Sequence, residues 1–98
     1  MTVEKDPERA ERRQLDPGGE FDGKRVLEIG CGEGRLTWQY ARRPRRVIGI
    51  DTDAAALRYA TIDRPSDLEG KVAFARASAL DLPFPQETFD LALLAWSL

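Results

Sequence analysis

The sequence predicts an α/β fold, a parallel sheet with helices on both faces. Three observations carry the prediction. Short apolar runs at residues 26–29, 47–50, 72–77 and 91–98 are separated by segments of helical pattern or by a proline-rich connection. Apart from Glu28, Arg76 and Ser97 they are apolar throughout rather than alternating, as strands covered on both faces are. The first run passes through three alternating glycines into a helical pattern, in the stretch VLEIGCGEGRL at 26–36. With 98 residues, the chain holds one small domain.

Taken in order, residues 1–20 form a charged arm or a short polar helix. Asp6 would cap that helix, Pro7 would occupy its first turn, and the stretch DPGG at 16–19 would stop it near Leu15. Residues 21–98 carry the domain. A first strand is expected at 26–29 and a helix at 33–42 ended by Pro44, with Leu36, Tyr40 and Ala41 turned inwards. The run VIGI at 47–50 is a second strand ending at Asp51. Asp53 caps a helix over 54–63 that turns Leu57, Ala60 and Tyr59 towards the core, and Pro65 stops it. Residues 66–69 have capping-box spacing for one further turn, closed by Gly70. A third strand follows at 72–77, then the proline-kinked connection LDLPFPQET at 80–88, then a fourth strand from Leu91.

Right-handed crossovers put the first strand centrally, the second and third on one side and the fourth on the other, giving the order 3-2-1-4. The glycine turn then lies at the topological switch point, where such sheets bind ligands beyond the carboxyl ends of their strands. The fourth strand is the most apolar and should be paired on both edges, yet no further strand is read in the chain to do so. The chain therefore reads as a sheet truncated after its fourth strand. The edge at 91–98 offers itself to self-association or to a partner chain.

Composition excludes several classes. A net charge of −2 sets up no global field towards nucleic acid or a membrane surface. The chain has no histidine and a single cysteine, Cys31, which excludes the usual zinc sites and any internal disulfide; no metal is expected. No leader is read at the start and no apolar run approaches the ~20 residues of a membrane span, so a cytoplasmic location is expected. The basic stretch RRPRR at 42–46 reads as a solvated helix end rather than a nucleic-acid contact. Trp38 and Trp96 read as packing residues, and Asp90 as the opening of the fourth strand.

The chemistry sits in the glycine turn. Glycines let the backbone open and approach a ligand closely, and amides at the following helix start face it. The spacing Gly30, Gly32, Gly34 is G-x-G-x-G, with Arg35 where a dinucleotide fingerprint has its third glycine. Asp51, 21 residues after Gly30, stands where a ribose is recognised. Glu28 and Glu33 would repel a pyrophosphate in a low-dielectric cleft. A nucleoside that is cationic at its other end fits both facts, and S-adenosylmethionine is such a molecule. Cys31 lacks a companion base and is read as a small residue suited to a tight turn.

VLEIGCGEG, then VIGIDTD, then ALDLPFPQETFDLALLAWSL, in that order, resembles the class I S-adenosylmethionine-dependent methyltransferases of the small-molecule type, over residues 21–98. The resemblance implies a Rossmann-like fold and S-adenosylmethionine as cofactor. It implies that Glu28, Gly30, Cys31, Gly32 and Gly34 form the turn holding the cofactor's methionine end. Asp51 would bind the ribose hydroxyls and Thr52 would lie beside the adenine. Ser78 and Ala79 would meet the adenine edge, with serine where the family usually has an acidic residue, and the backbone at Ala95 would meet the cofactor's amino group. The acceptor would be a small molecule, and no catalytic base is nominated. A cofactor-binding module without catalysis, completed by a partner chain, is the alternative; a nicotinamide-dependent oxidoreductase fragment is a third reading.

Overall fold

The computed structural model describes residues 2–4, 20–85 and 87–95. Five parallel strands form one sheet: β1 (Thr2–Glu4), β2 (Arg25–Ile29), β3 (Arg46–Asp51), β4 (Val72–Arg76) and β5 (Leu91–Leu94), in the order β1-β5-β2-β3-β4. Without β1 this is the expected 3-2-1-4 arrangement. Two helices, α1 (Thr37–Tyr40) and α2 (Ala54–Asp63), and a 3-10 turn at Ser66–Leu68 complete the described elements.

β1 corrects one expectation. It pairs with the outer edge of β5, with Thr2, Val3 and Glu4 opposite Leu91, Ala92 and Leu93. The chain thus covers over those residues the edge that was expected to stand open. Three residues are too few to show a period, so the strand has no signature in the sequence. The helix expected within residues 6–15 and the strand's continuation over 96–98, with Trp96, lie outside the described residues.

The first helix is shorter than expected. Gly30, Gly32 and Gly34 all have positive φ (79°, 56° and 88°), which an α-helix cannot contain. A turn closed by Gly34 N–H donating to the Cys31 carbonyl (3.0 Å) occupies the start instead, and α1 begins only at Thr37. In α2 the expected cap is present: Asp53 Oδ1 accepts from the amides of Ala55 and Ala56 at 3.0 and 3.2 Å. Leu57 and Ala60 are buried, but Tyr59 is turned outwards, 57% exposed. The turn at Ser66–Leu68 forms without the side-chain cap that its spacing predicts.

The two faces of the sheet pack differently. Val26, Val47 and Val72 are neighbours across β2, β3 and β4, and all are fully buried against Leu36, Tyr40, Ala41, Phe21 and Leu68. Burying each such valine contributes about 1.5–3 kcal/mol. Leu27 and Ile50 belong to the opposite face and pack with Phe89, which meets Phe84 edge-on at 5.1 Å.

At the amino ends of the strands Asp90 ties β5 to β2. It accepts from the Arg25 amide (2.8 Å), from Nε (3.2 Å) and from Nη2 (3.1 Å). The Arg25 hydrogen bonds hold its carboxyl down at about 2. A depressed carboxyl stabilises the fold above its unfolded value and loses that contribution as pH falls through the folded one. Urea titrations between pH 4 and 2 should therefore show the wild-type midpoint falling. Asp90→Ala should start from a lower midpoint and lack this part of the fall.

Candidate functional site

The strand register aligns the carboxyl ends of β2, β3 and β5. Ile29 lies opposite Ile50 and Leu94, so Gly30, Asp51 and Ala95 follow at one level. The amides of Gly30 and Cys31 both donate to the Ile50 carbonyl (2.8 and 3.0 Å), fixing the glycine turn onto β3. The Ala95 amide donates to the Ile29 carbonyl at 2.8 Å, and the Ala77 amide to the Asp51 carbonyl at 3.1 Å. Backbone pairing thus gathers the turn, Asp51 and Ala95 at one end of the sheet.

Asp51 is the hub. Its Oδ2 accepts from the Gly32 amide at 2.8 Å and its Oδ1 from the Asp53 amide at 2.9 Å. One carboxylate therefore sets both the turn after β2 and the entry to α2. Thr52 beside it is exposed, and its carbonyl accepts from Arg76 Nε at 3.1 Å. Ser78 and Ala79 lie beyond β4. Ser78 Oγ accepts from the Leu80 amide at 3.1 Å, and an isolated bridge joins Ser78 to Asp81, so these bonds shape their own loop.

The glycines of the turn differ in what they face. A Cβ on Gly34 would stand 2.6 Å from Trp38 Cζ2, so the helix's own indole fills that space. A Cβ on Gly32 would meet nothing within 4 Å. Gly32 leaves backbone bare towards open space, as close approach by a ligand requires. Gly49 went unnoticed in the sequence. A Cβ there would lie 2.9 Å from both Cys31 Sγ and Phe74 Cδ1, so its absence lets Cys31 pack on β3. A lone glycine inside an apolar strand was the available signal.

Two carboxylates and a thiol set the electrostatics. Cys31 is buried, and its thiol is pushed far above the usual range by burial first, then by Glu28 and Asp51. It stays neutral and is no nucleophile; what it lends the turn is its backbone. Glu28 is completely buried beneath the turn. Two hydroxyls of α1 meet it: Thr37 Oγ1 donates to Oε1 at 2.8 Å and the Tyr40 hydroxyl to the same oxygen at 2.5 Å. Among the described residues Oε2 has no partner. Burial pushes the carboxyl up to about 7 against the pull of the two hydroxyls. The sequence shows Tyr40 as a core residue and gives Thr37 no role; their 12- and 9-residue offsets from Glu28 are legible only once α1 is folded back on β2.

The basic stretch lies elsewhere. It leads into β3 at the opposite end of the sheet. There Arg42 pairs with Asp67 (2.9 and 3.1 Å) and its carbonyl accepts from Lys71 Nζ at 2.8 Å. Trp38 packs edge-on against Phe74 at 5.9 Å, as a core residue does. Among the described residues no three His, Cys, Asp or Glu side chains gather as a metal site, and no helix is long and apolar enough to cross a membrane.

Residues 26–98 match the family described as methyltransferase domain. The ubiquinone/menaquinone biosynthesis C-methyltransferase UbiE of Cellvibrio japonicus is 37% identical over 93 residues, covering 89% of this chain and 36% of the relative. Among solved structures, an S-adenosylmethionine-dependent methyltransferase from Mesorhizobium loti is 30% identical with a TM-score of 0.66, over 76% of this chain and 33% of that one. The [4+2]-cyclase SpnF is 31% identical with a TM-score of 0.67, over 74% of this chain and 28% of that one. The chain spans about a quarter to a third of the length of the curated relatives it matches, 27% and 36% in two of them.

Proposed function

Since the chain belongs to the class I S-adenosylmethionine-dependent methyltransferases, we propose that residues 21–98 form the cofactor-holding part of such an enzyme, acting in the cytoplasm on a small-molecule acceptor. The observation that carries this reading is the Asp51 carboxylate on the Gly32 amide, beside a glycine whose outer side is open.

The residues present fit the cofactor. Gly30 and Gly32 offer bare backbone for the amino-acid end. Asp51 has two carboxylate oxygens with further acceptor capacity for ribose hydroxyls. Thr52, Ala79 and Ser78 lie on the side of β3 and β4 assigned to the adenine, and the Ala95 backbone ends the row on the other side. Glu28 and Asp51 supply negative charge suited to a cationic ligand and hostile to a pyrophosphate. When bound, S-adenosylmethionine would supply an electrophilic methyl group on a sulfonium, for transfer to an acceptor held in line with the carbon–sulfur bond, with S-adenosylhomocysteine as the leaving thioether. The chain's own residues bind and orient; no catalytic base is assigned among them. The relative named for ubiquinone and menaquinone biosynthesis supports a small organic acceptor.

A second reading is a cofactor-binding module that performs no methyl transfer by itself. The cyclase among the similar structures favours keeping it, because its name shows that the fold serves other chemistry. Calorimetric titration with S-adenosylmethionine tests the binding claim. Asp51→Ala should weaken binding about 10- to 100-fold through lost charged hydrogen bonds; unchanged affinity would remove Asp51 from the site. Methyl transfer to a quinol or phenol acceptor, followed as S-adenosylhomocysteine release, separates the enzyme from the module.

A further inference from the structure

Among the described residues Glu28 is the one buried carboxyl, and the fold alone leaves its arrangement unexplained. It sits in a row that runs Phe74, Gly49, Glu28, Leu93 across β4, β3, β2 and β5. From β5 it faces leucine and from β3 a glycine. From α1 it faces Thr37 and Tyr40, and from the turn the Cys31 thiol. Tyr40 and Cys31 are the titratable groups there. Burial holds both in their neutral forms, and Asp51 joins Glu28 in acting on the Cys31 thiol. No cation among the described residues is paired with Glu28.

The two hydroxyls have one proton each and give both to Oε1. When Glu28 is neutral, its proton therefore belongs on Oε2, the oxygen without a partner. When Glu28 is ionised, the hydroxyls steady the charge from one side, beneath a turn read as the seat of a cationic ligand. Leucine and valine would fill this position without the cost of burying a carboxyl.

We propose that Thr37 and Tyr40 are positioning residues that hold Glu28 as a counter-charge under the glycine turn, and that binding of a cationic ligand draws the proton off its unpartnered oxygen. The step is a simple proton balance: the Oε2–H bond breaks, the proton goes to solvent, and the carboxylate remains to offset the ligand's positive charge. No contact between Glu28 and the ligand is needed, because a charge acts through a dry interior over several ångströms. The inference rests on the cofactor reading above and specifies how that site meets the ligand's charge. It makes binding weaken in mild acid.

Titration calorimetry of the full chain with S-adenosylmethionine at pH 6 and pH 7, each in phosphate and in Tris-type buffers of different ionisation enthalpy, tests it. In this range the ligand's own amine stays largely protonated, its ordinary value being about 7.7–8.0. The wild type should bind about fivefold more weakly at pH 6 than at pH 7 and release most of one proton per ligand at pH 6. Glu28→Gln should bind with no such pH dependence and no proton release. Tyr40→Phe should move the midpoint of the dependence upward by removing a donor that favours the carboxylate, and Thr37→Ser should restore what Thr37→Val shifts. A purely structural role for the hydroxyls would alter stability and leave the pH midpoint in place. Wild-type binding of equal strength at both pH values without proton release overturns the proposal, as does a Glu28→Gln profile that keeps the wild-type slope. Absence of binding at either pH strikes the cofactor reading itself.

Discussion

Gly34→Ala is expected to cost the fold about 2–5 kcal/mol, summing a left-handed backbone penalty and overpacking. Gly34 has φ 88°, and its new Cβ would stand 2.6 Å from Trp38 Cζ2 and 2.9 Å from Cε2. The indole is wedged between this glycine and Phe74, so it has little room to retreat. Gly32→Ala provides the contrast. Its φ of 56° imposes a backbone penalty of about 1–2 kcal/mol, but nothing lies within 4 Å of its Cβ. Urea unfolding should rank Gly34→Ala well below Gly32→Ala in stability. Calorimetry should rank them in the reverse order for cofactor binding among folded protein, because the Gly32 methyl projects into the open space where we propose the cofactor binds. Equal stability of the two variants would mean that Trp38 does not pack on Gly34.

The second large effect is a loss of stability with rising pH. Burial raises the Glu28 carboxyl to about 7 from 4.5. For a group raised in the folded state, the stabilisation is fully present below the unfolded value and is lost as pH rises through the folded one. The window is therefore pH 4.5 to 7, and the loss is about 3 kcal/mol. Asp90 acts in the opposite sense at lower pH. Chemical denaturation across pH 4–8 should show the decline in the wild type and its near absence in Glu28→Gln. A wild-type curve flat over this window would mean that Glu28 is ionised and compensated in the free protein.

Much of this was legible in the sequence, and what was hidden has physical causes. Four strands, their parallel order and the glycine turn follow from continuous apolar runs and from glycine spacing, since burial on both faces imposes that composition. Asp53 could be recognised as a cap because a cap is a local interaction. β1 could not, because a three-residue edge strand is held by a neighbour 89 residues away in sequence, at the Thr2 to Leu91 pairing. The late start of α1 was written in Gly34, whose backbone conformation excludes helix, but an apolar face continuing to Leu36 masked it. Tyr59 has the same apparent helical claim to the core as Leu57, and only the sheet's position decides between them.

At the site, residue types marked positions better than roles. Asp51 stands at the predicted strand end, yet its hold on the Gly32 amide depends on the turn folding back over β3. Of three glycines that look equivalent in the sequence, Gly32 faces open space and Gly34 makes room for Trp38. Glu28 was conspicuous as a charge within an apolar strand, and its two hydroxyl partners come from a helix that only tertiary packing brings above it.

If the carboxyl ends of β2 to β5 form one cofactor seat, amide chemical-shift mapping of the full chain during titration with S-adenosylmethionine will show it. Saturable shifts are expected at Gly30, Gly32, Gly34, Asp51, Thr52, Ser78, Ala79 and Ala95, with Lys24, Arg45 and Lys71 at the opposite end unmoved. Shifts centred on that opposite end, or no saturable shift at the glycine turn, would contradict it.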